Sequence, residues 1–396
     1  RQLRFYFPVP DPTDEYRSKP TQLISHLLGD EGDGSLLAVL RDTGLADGLS
    51  AGVSRGDGKD ALFTVSISLT PAGAERLDDI EATLFAAIEQ LKDDGLTAWR
   101  YEEQAKLSEQ AFRFQQHGAP QEEATYLAMS LSRYPVEDVQ YAAYRMDGLD
   151  AERQQAYLDA LTPDNMLRFY SAPDVESDTV SPWFNTQWHE QTPDQPGLAL
   201  SGLALPGPNP FIANDLTLLE GQDEHPSQLV DSPSFTAWHM QDARFNTPSV
   251  EWRVSLQHPS ASYSAEEAVL TRLLASWLND SLNESLYPAW LAGQAFSAYP
   301  HARGMTLSFS GWRDGQTPLI EQAIEQLKTA EITDGAFERV RYQLQREWRN
   351  APQASLYGQA SRTLGEALLT PQWSNADFLT AIERFERSHL EDFRKR

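Results

Sequence analysis

Six consecutive residues, Ala87-Ile88-Glu89-Gln90-Leu91-Lys92, occur again as Ala323-Ile324-Glu325-Gln326-Leu327-Lys328, and the elements around each copy follow one order. Repeat one reads as a strand at 3–8 and helical stretches at 21–28 and 35–41. The segment 44–52 follows, then an alternating strand at 62–69 and long amphipathic helices at 74–91 and 98–115. Repeat two has a strand at 250–256, a helix at 265–279, short stretches at 281–286 and 291–299, a strand at 305–310, and helices at 318–328 and 335–349. Ser35, Leu36, Leu40, Leu45 and Ala46 fall against Ser281, Leu282, Leu286, Leu291 and Ala292 at one constant offset. After its third long helix each repeat carries Ala-Pro-Gln, at 119–121 and 351–353. A duplicated chain of this kind has to fold as two like units. Short alternating strands separated by helices specify an α+β class, in which a mainly antiparallel sheet carries helices on one face.

Repeat one continues through helices near 122–133 and 150–161 to a strand at 166–171, for which repeat two has no counterpart before Arg396. Between the repeats runs a Pro- and Gly-rich tract at 192–210, then a polar stretch at 220–233. The expected division is therefore 1–220, a linker at 221–232, and 233–396. The chain opens at Arg1 inside a strand pattern, with no initiator Met and no signal segment, as expected of a chain cut from a longer one. The second unit is likewise expected to be truncated at its C-terminus.

Acidic residues outnumber basic ones by 58 to 32, a net charge of −26. A phosphate backbone needs a cationic face, so nucleic acid is excluded as a partner class. No run reaches the 18 or so apolar residues of a membrane span. Cysteine is absent, which removes disulfides and thiolate metal sites and leaves cytoplasm and periplasm both open. The histidines are His26, His117, His189, His225, His239, His258, His301 and His389. No two stand three or four residues apart, so no helix face presents a His pair for zinc. Trp99, Phe112, Phe114, Trp277, Trp290, Trp312 and Trp348 lie on helix or strand faces and read as packing.

The run Gly29-Asp30-Glu31-Gly32-Asp33-Gly34 invites three readings. A phosphate cradle is opposed by its three carboxylates, and an EF-hand by its missing spacing and closing Glu. The plain reading is a helix break restarted at Ser35, with Asp33 or Ser35 as N-cap.

The longer segment 26–37, His-Leu-Leu-Gly-Asp-Glu-Gly-Asp-Gly-Ser-Leu-Leu, resembles the His-Leu-x-Gly-x-Glu-Gly-x-Gly-Ser-Leu segment of the insulysin/pitrilysin zinc peptidases, in the second of their four homologous domains. Phe7-Pro8-Val9-Pro10-Asp11, Ala111-Phe112-Arg113-Phe114, residues 183–187 and Asn209-Pro210-Phe211-Ile212 match in order. Ser281-Leu282-Asn283-Glu284 is similar to a segment of the third domain. The resemblance runs along essentially the whole chain and implies second- and third-domain character, with zinc on a His-x-x-Glu-His helix of a first domain that this sequence does not contain.

What the resemblance implies is a non-catalytic, substrate-holding portion of a zinc metalloendopeptidase acting on peptides. Its expected partners are those peptides and the parent's first and last domains. No zinc is expected on this chain, nor activity from it alone. The matching segment in the family forms an exosite that holds a substrate's N-terminal end. Carried over by position, the exosite residues are His26, Gly29 and Glu31, with Leu49, Ser50 and Ala51 lending a strand edge. The family often has Gly where Ser50 and Ala51 stand, and His where Asp30 stands. The other reading is a scaffold or peptide-binding subunit from a zinc-less member. A His-x-x-Glu-His encoded upstream of Arg1 would separate the two.

Overall fold

The computed structural model describes every residue except Arg55, His117 and 193–196. His117 and part of the tract at 192–210 thus lie outside the described residues. The chain packs as two compact units, Arg1–Asn209 and Pro210–Arg396.

Unit 1 contains β1 (Gln2–Pro10), α1 (Pro20–Leu28), α2 (Leu36–Asp42), β2 (Ala46–Val53), β3 (Asp60–Leu69), α3 (Pro71–Ala74) and α4 (Leu77–Asp94). It continues with α5 (Ala98–Arg113), α6 (Pro120–Leu131), α7 (Ala151–Asp159), β4 (Leu167–Ser171), β5 (Thr179–Val180) and β6 (Gln187–Trp188). The main sheet is antiparallel with strand order β2-β3-β1-β4, so β2 is an edge. Alternation decides its two faces. Leu3, Phe5, Phe7 and Val9 of β1 and Phe63, Val65 and Ile67 of β3 are buried beneath helices, each contributing about 2 kcal/mol of apolar burial. Thr64, Ser66 and Ser68 face the other way and are half-buried. The amphipathic α4 supplies Ile80, Leu84, Ile88 and Leu91 to the same core, and Phe85 meets Phe7 edge-on at 6.2 Å.

Unit 2 contains β7 (Ser227–Asp231), β8 (Thr236–His239), β9 (Ser249–Gln257), α8 (Ala265–Leu282), α9 (Tyr287–Leu291), β10 (Ala295–His301) and β11 (Gly304–Trp312). Helices α10 (Gln316–Thr329), α11 (Asp334–Asn350), α12 (Leu356–Leu368), α13 (Asn375–Ile382) and α14 (Arg387–Arg394) follow. Its sheet order, β10-β11-β9, is the order β2-β3-β1 of unit 1 with the same antiparallel sense. The duplication seen in the sequence is therefore a duplication of topology.

Residues 221–232, expected as a linker, contain β7, which pairs with β8 in a hairpin. The division falls at 209/210 because the following residues are tied into unit 2. Phe211, Ile212 and Ala213 are buried. The Asn214 and Asp215 N–H groups donate to Asp314 at 2.6 and 2.8 Å, and Arg313 reaches Asp215 at 2.9 Å. Among the aromatics expected as packing, Trp277 and Trp348 are buried, whereas Trp290 is 67% exposed.

Candidate functional site

Helix α1 ends because Gly29 follows Leu28 and closes the last turn, its N–H donating to Ser25 O at 3.0 Å. The chain then makes an Asx-type turn in which the Asp30 carboxylate accepts the Gly32 N–H at 2.8 Å. Gly34 takes φ +75°, a conformation that favours glycine. Ser35 restarts the helix, its hydroxyl accepting the Ala38 N–H at 3.1 Å. Of the two candidate caps, Ser35 fills the role, and Asp33 is exposed.

This turn stands beside the sheet edge. A side-chain carbon built on Gly29 would lie 3.6 Å from Ala51 N and only 2.9 Å from Ser25 O. The phase of the β2–β3 ladder fixes which backbone groups of β2 are free. Ser54 N–H bonds Leu62 O at 2.9 Å in register with the ladder, so even-numbered residues of β2 bond to β3. Leu49, Ala51 and Val53 therefore direct N–H and C=O outward, while their side chains pack against the core. Ser50 does the reverse: its backbone bonds β3 and its exposed side chain stands on the open face. Among the described residues, no backbone group of 46–53 bonds to any segment except β3.

His26 is half-buried in the last turn of α1, and burial pulls its imidazole down to about 4. Asp30 is 4% exposed. Burial pushes its carboxyl up to about 6, against the Gly32 N–H that favours the charged form. Glu31 is half-exposed and faces Arg41 of α2 at 3.5 Å, a pairing with no signal in the sequence. Behind the turn runs the segment 198–206. The Ala204 N–H donates to Gly34 O at 2.8 Å, the Leu200 N–H to Thr83 Oγ1 at 3.0 Å, and the Leu198 N–H to Asp79 at 2.8 Å. Leu203, Ala204, Leu205 and Pro206 line a shallow crevice with Asp30, Ala87 and Leu91.

The structure thus places His26 in the last turn of α1 and Gly29 and Glu31 in the turn that follows, with Ala51 of β2 against Gly29 and Leu49 two residues along the same edge. Among the described residues, no three His, Cys, Asp or Glu side chains come together as a metal-binding group. Nor is any helix among them long and apolar enough to cross a membrane.

Residues 112–381 match the family model described as the middle or third domain of peptidase M16, and residues 1–107 match the one described as the peptidase M16 inactive domain. The insulin-degrading enzyme of Drosophila melanogaster is 27% identical over 418 residues, covering 100% of this chain and 41% of that protein. The A-factor-processing enzyme of Saccharomyces cerevisiae is 28% identical, covering 99% of this chain and 39% of its own length. The crystal structure of pitrilysin shares the fold, with a TM-score of 0.84 at 21% identity over 100% of this chain and 43% of that one. The chain spans about two fifths of the length of these relatives. Because the middle-domain model alone accounts for more than half of its residues, the chain belongs to the M16 peptidases, the insulinase/pitrilysin family.

Proposed function

We propose that this chain is the non-catalytic, substrate-holding portion of a zinc metalloendopeptidase, and that it holds peptides along the outer edge of β2. One observation carries the reading: Leu49 and Ala51 turn their backbone groups outward at an unpaired edge, where Gly29 brings no side chain to obstruct them. An extended peptide adds to such an edge by main-chain hydrogen bonds. Its N-terminal ammonium, mostly charged at neutral pH, would then reach toward Glu31 at the end of α1. Glu31 already faces Arg41, but a half-exposed ion pair is worth little, so the ammonium displaces or shares it at small cost. His26 is neutral at pH 7 and does not compete for the carboxylate. Zinc and the chemistry of cleavage belong, on this reading, to parts of the parent outside these residues.

Calorimetric titration of a free-amine peptide and its acetylated form tests the proposal. The free-amine form should bind several-fold more tightly, on the order of 1 kcal/mol for one charge-assisted contact. Glu31→Gln should abolish that difference while leaving the acetylated peptide unchanged. Equal binding of both forms to the unmodified chain would remove Glu31 from the site, and no binding of either would remove the site.

A further inference from the structure

Unit 1 buries two carboxylates among the described residues, Asp30 at 4% and Asp138 at 7% exposure, and they are partnered very unequally. Asp138 accepts from the Tyr16 hydroxyl at 2.6 Å, from Arg17 at 3.1 Å and from Arg145. The only donor that Asp30 meets among the described residues is the Gly32 N–H, on Oδ1. Its Oδ2 is left without a partner, and no cation pairs with it. The charged groups around Asp30 are Glu31 and Asp33 on the same turn, His26 on α1 and Arg41 on α2, and Arg41 faces Glu31 instead. The residues of α4 and of 203–206 that line the crevice with Asp30 carry no charge, nor does β2 from Gly48 to Val53. Burial, and after it Glu31, push Asp30 toward its neutral form. A buried carboxylate beside a second carboxylate calls for a positive partner.

The crevice limits what that partner can be. Its free space is about 10 Å³, room for one water molecule. Leu27, Leu28 and Leu91 wall it, and the Ala204 N–H bond to Gly34 O ties its sides together. A primary ammonium is compact enough for such a space, and it carries the donors that Oδ2 lacks. A guanidinium or a methylated amine is too wide.

We propose that the N-terminal ammonium of the held peptide sits at the mouth of this crevice between Glu31 and Oδ2 of Asp30, which makes Asp30 the residue that selects an unmodified primary amine. The inference rests on the reading that peptides lie along the edge of β2. Glu31 is half-exposed and answers any positive charge, whereas Asp30 answers only one small enough to reach it and able to donate. Without Glu31 the ammonium has no accessible anchor, so Asp30 sorts the amines that Glu31 draws in and does not replace it. A bound cation favours the ionised carboxyl, so binding releases the proton that Asp30 holds at about pH 6 and below. His26, pulled down to about 4, stays neutral across that range and adds no charge of its own.

The probes are one peptide in three forms, free-amine, Nα-trimethylated and Nα-acetylated, titrated calorimetrically into the whole chain. The trimethylated form keeps the charge but is wider and has no N–H to donate. At pH 7 the free-amine form should bind about five- to tenfold more tightly than the trimethylated one, and the acetylated form should be weakest. Asp30→Asn keeps an oxygen for the Gly32 N–H, and it should remove most of the gap between the two charged forms while leaving the acetylated form unchanged. On the unmodified chain, lowering the pH from 7 to 5 should weaken the free-amine form about three- to tenfold and spare the acetylated one. That profile needs no variant, so it decides even if Asp30→Asn fails to fold. A gap that a folded Asp30→Asn leaves intact, or a free-amine affinity that is level between pH 7 and 5, would overturn the role of Asp30 and leave Glu31 and β2 in place. Equal binding of all three forms would instead remove the reading beneath it, and this inference with it.

Discussion

The hexamer at 87–92 and its twin at 323–328 have identical side chains on helices of the same rank, and they end in different surroundings. Ile88 is fully buried and Ile324 is 36% exposed, while Leu91 is 1% exposed and Leu327 is half-buried. Both helices present the same apolar stripe. In unit 1 the stripe is closed over by Tyr157, Leu158 and Leu161 at and just after α7, and by Leu200, Leu203 and Leu205 of the segment behind the Gly-rich turn. An apolar stripe specifies that a surface should be covered, and the rest of the chain decides whether it is.

Three measurements can break or sharpen that contrast. The largest effect is expected at the paired inner strands. Phe5→Ala should destabilise unit 1 by about 3–5 kcal/mol, whereas Trp252→Ala, removing a larger but half-exposed ring, should cost unit 2 only about 1–2 kcal/mol. Urea unfolding followed by hydrogen exchange in each unit reads the two. Equal losses would mean that the exposure difference has no energetic content. Within the identical hexamers, Ile88→Ala should cost about 2–4 kcal/mol and Ile324→Ala about 1 kcal/mol, measured the same way; matched values would dissolve the comparison.

The smallest effect is one of pH, and it is expected in the transition of unit 1. Between about 4 and 6 the folded chain keeps a proton on Asp30 that the unfolded chain, with its carboxyl near 3.8, has released. Stability therefore falls as pH rises through that window. His26 acts in the opposite sense. From about 4 to 6.5 the unfolded chain binds a proton that the folded chain does not, so stability rises with pH. The two slopes offset each other in the intact protein. Asp30→Asn should leave the rising slope and stabilise unit 1 at pH 7 by about 1–2 kcal/mol. His26→Gln should leave the falling slope. Parallel pH profiles for the parent and both variants would refute the assignment of these shifts to burial.

The helices of the two repeats through α5 and α11, their inner strands, the duplication and the lack of a closely spaced His pair could be read from residue spacing. The N-cap, by contrast, was narrowed only to Asp33 or Ser35, and 44–52 and 291–299 were not resolved as strands. The edge position of Leu49 and Ala51 came instead from the family resemblance, since Gly48 and Gly52 weaken the strand signal of β2. Glu31 meeting Arg41 could not be read at all. It depends on how α2 leaves the turn, and no spacing rule links those two positions. The hairpin inside 221–232 was hidden for the opposite reason: its side chains are largely exposed, so burial leaves no pattern there to find.

Residues 198–206 have the composition of a tether, with Gly202 at φ +107° and a proline at 206. They are nonetheless bonded to Asp79, Thr83, Gln90 and Gly34. The stretch that forms the sheet and the stretch that packs as one compact unit are therefore different lengths of chain. The main sheet is complete at Ser171, where β4 pairs with β1. A unit 1 shortened to that point would keep every strand of its main sheet and still lose the lid over Ala87 and Leu91. The sheet ends at Ser171; the compact unit runs on to Asn209.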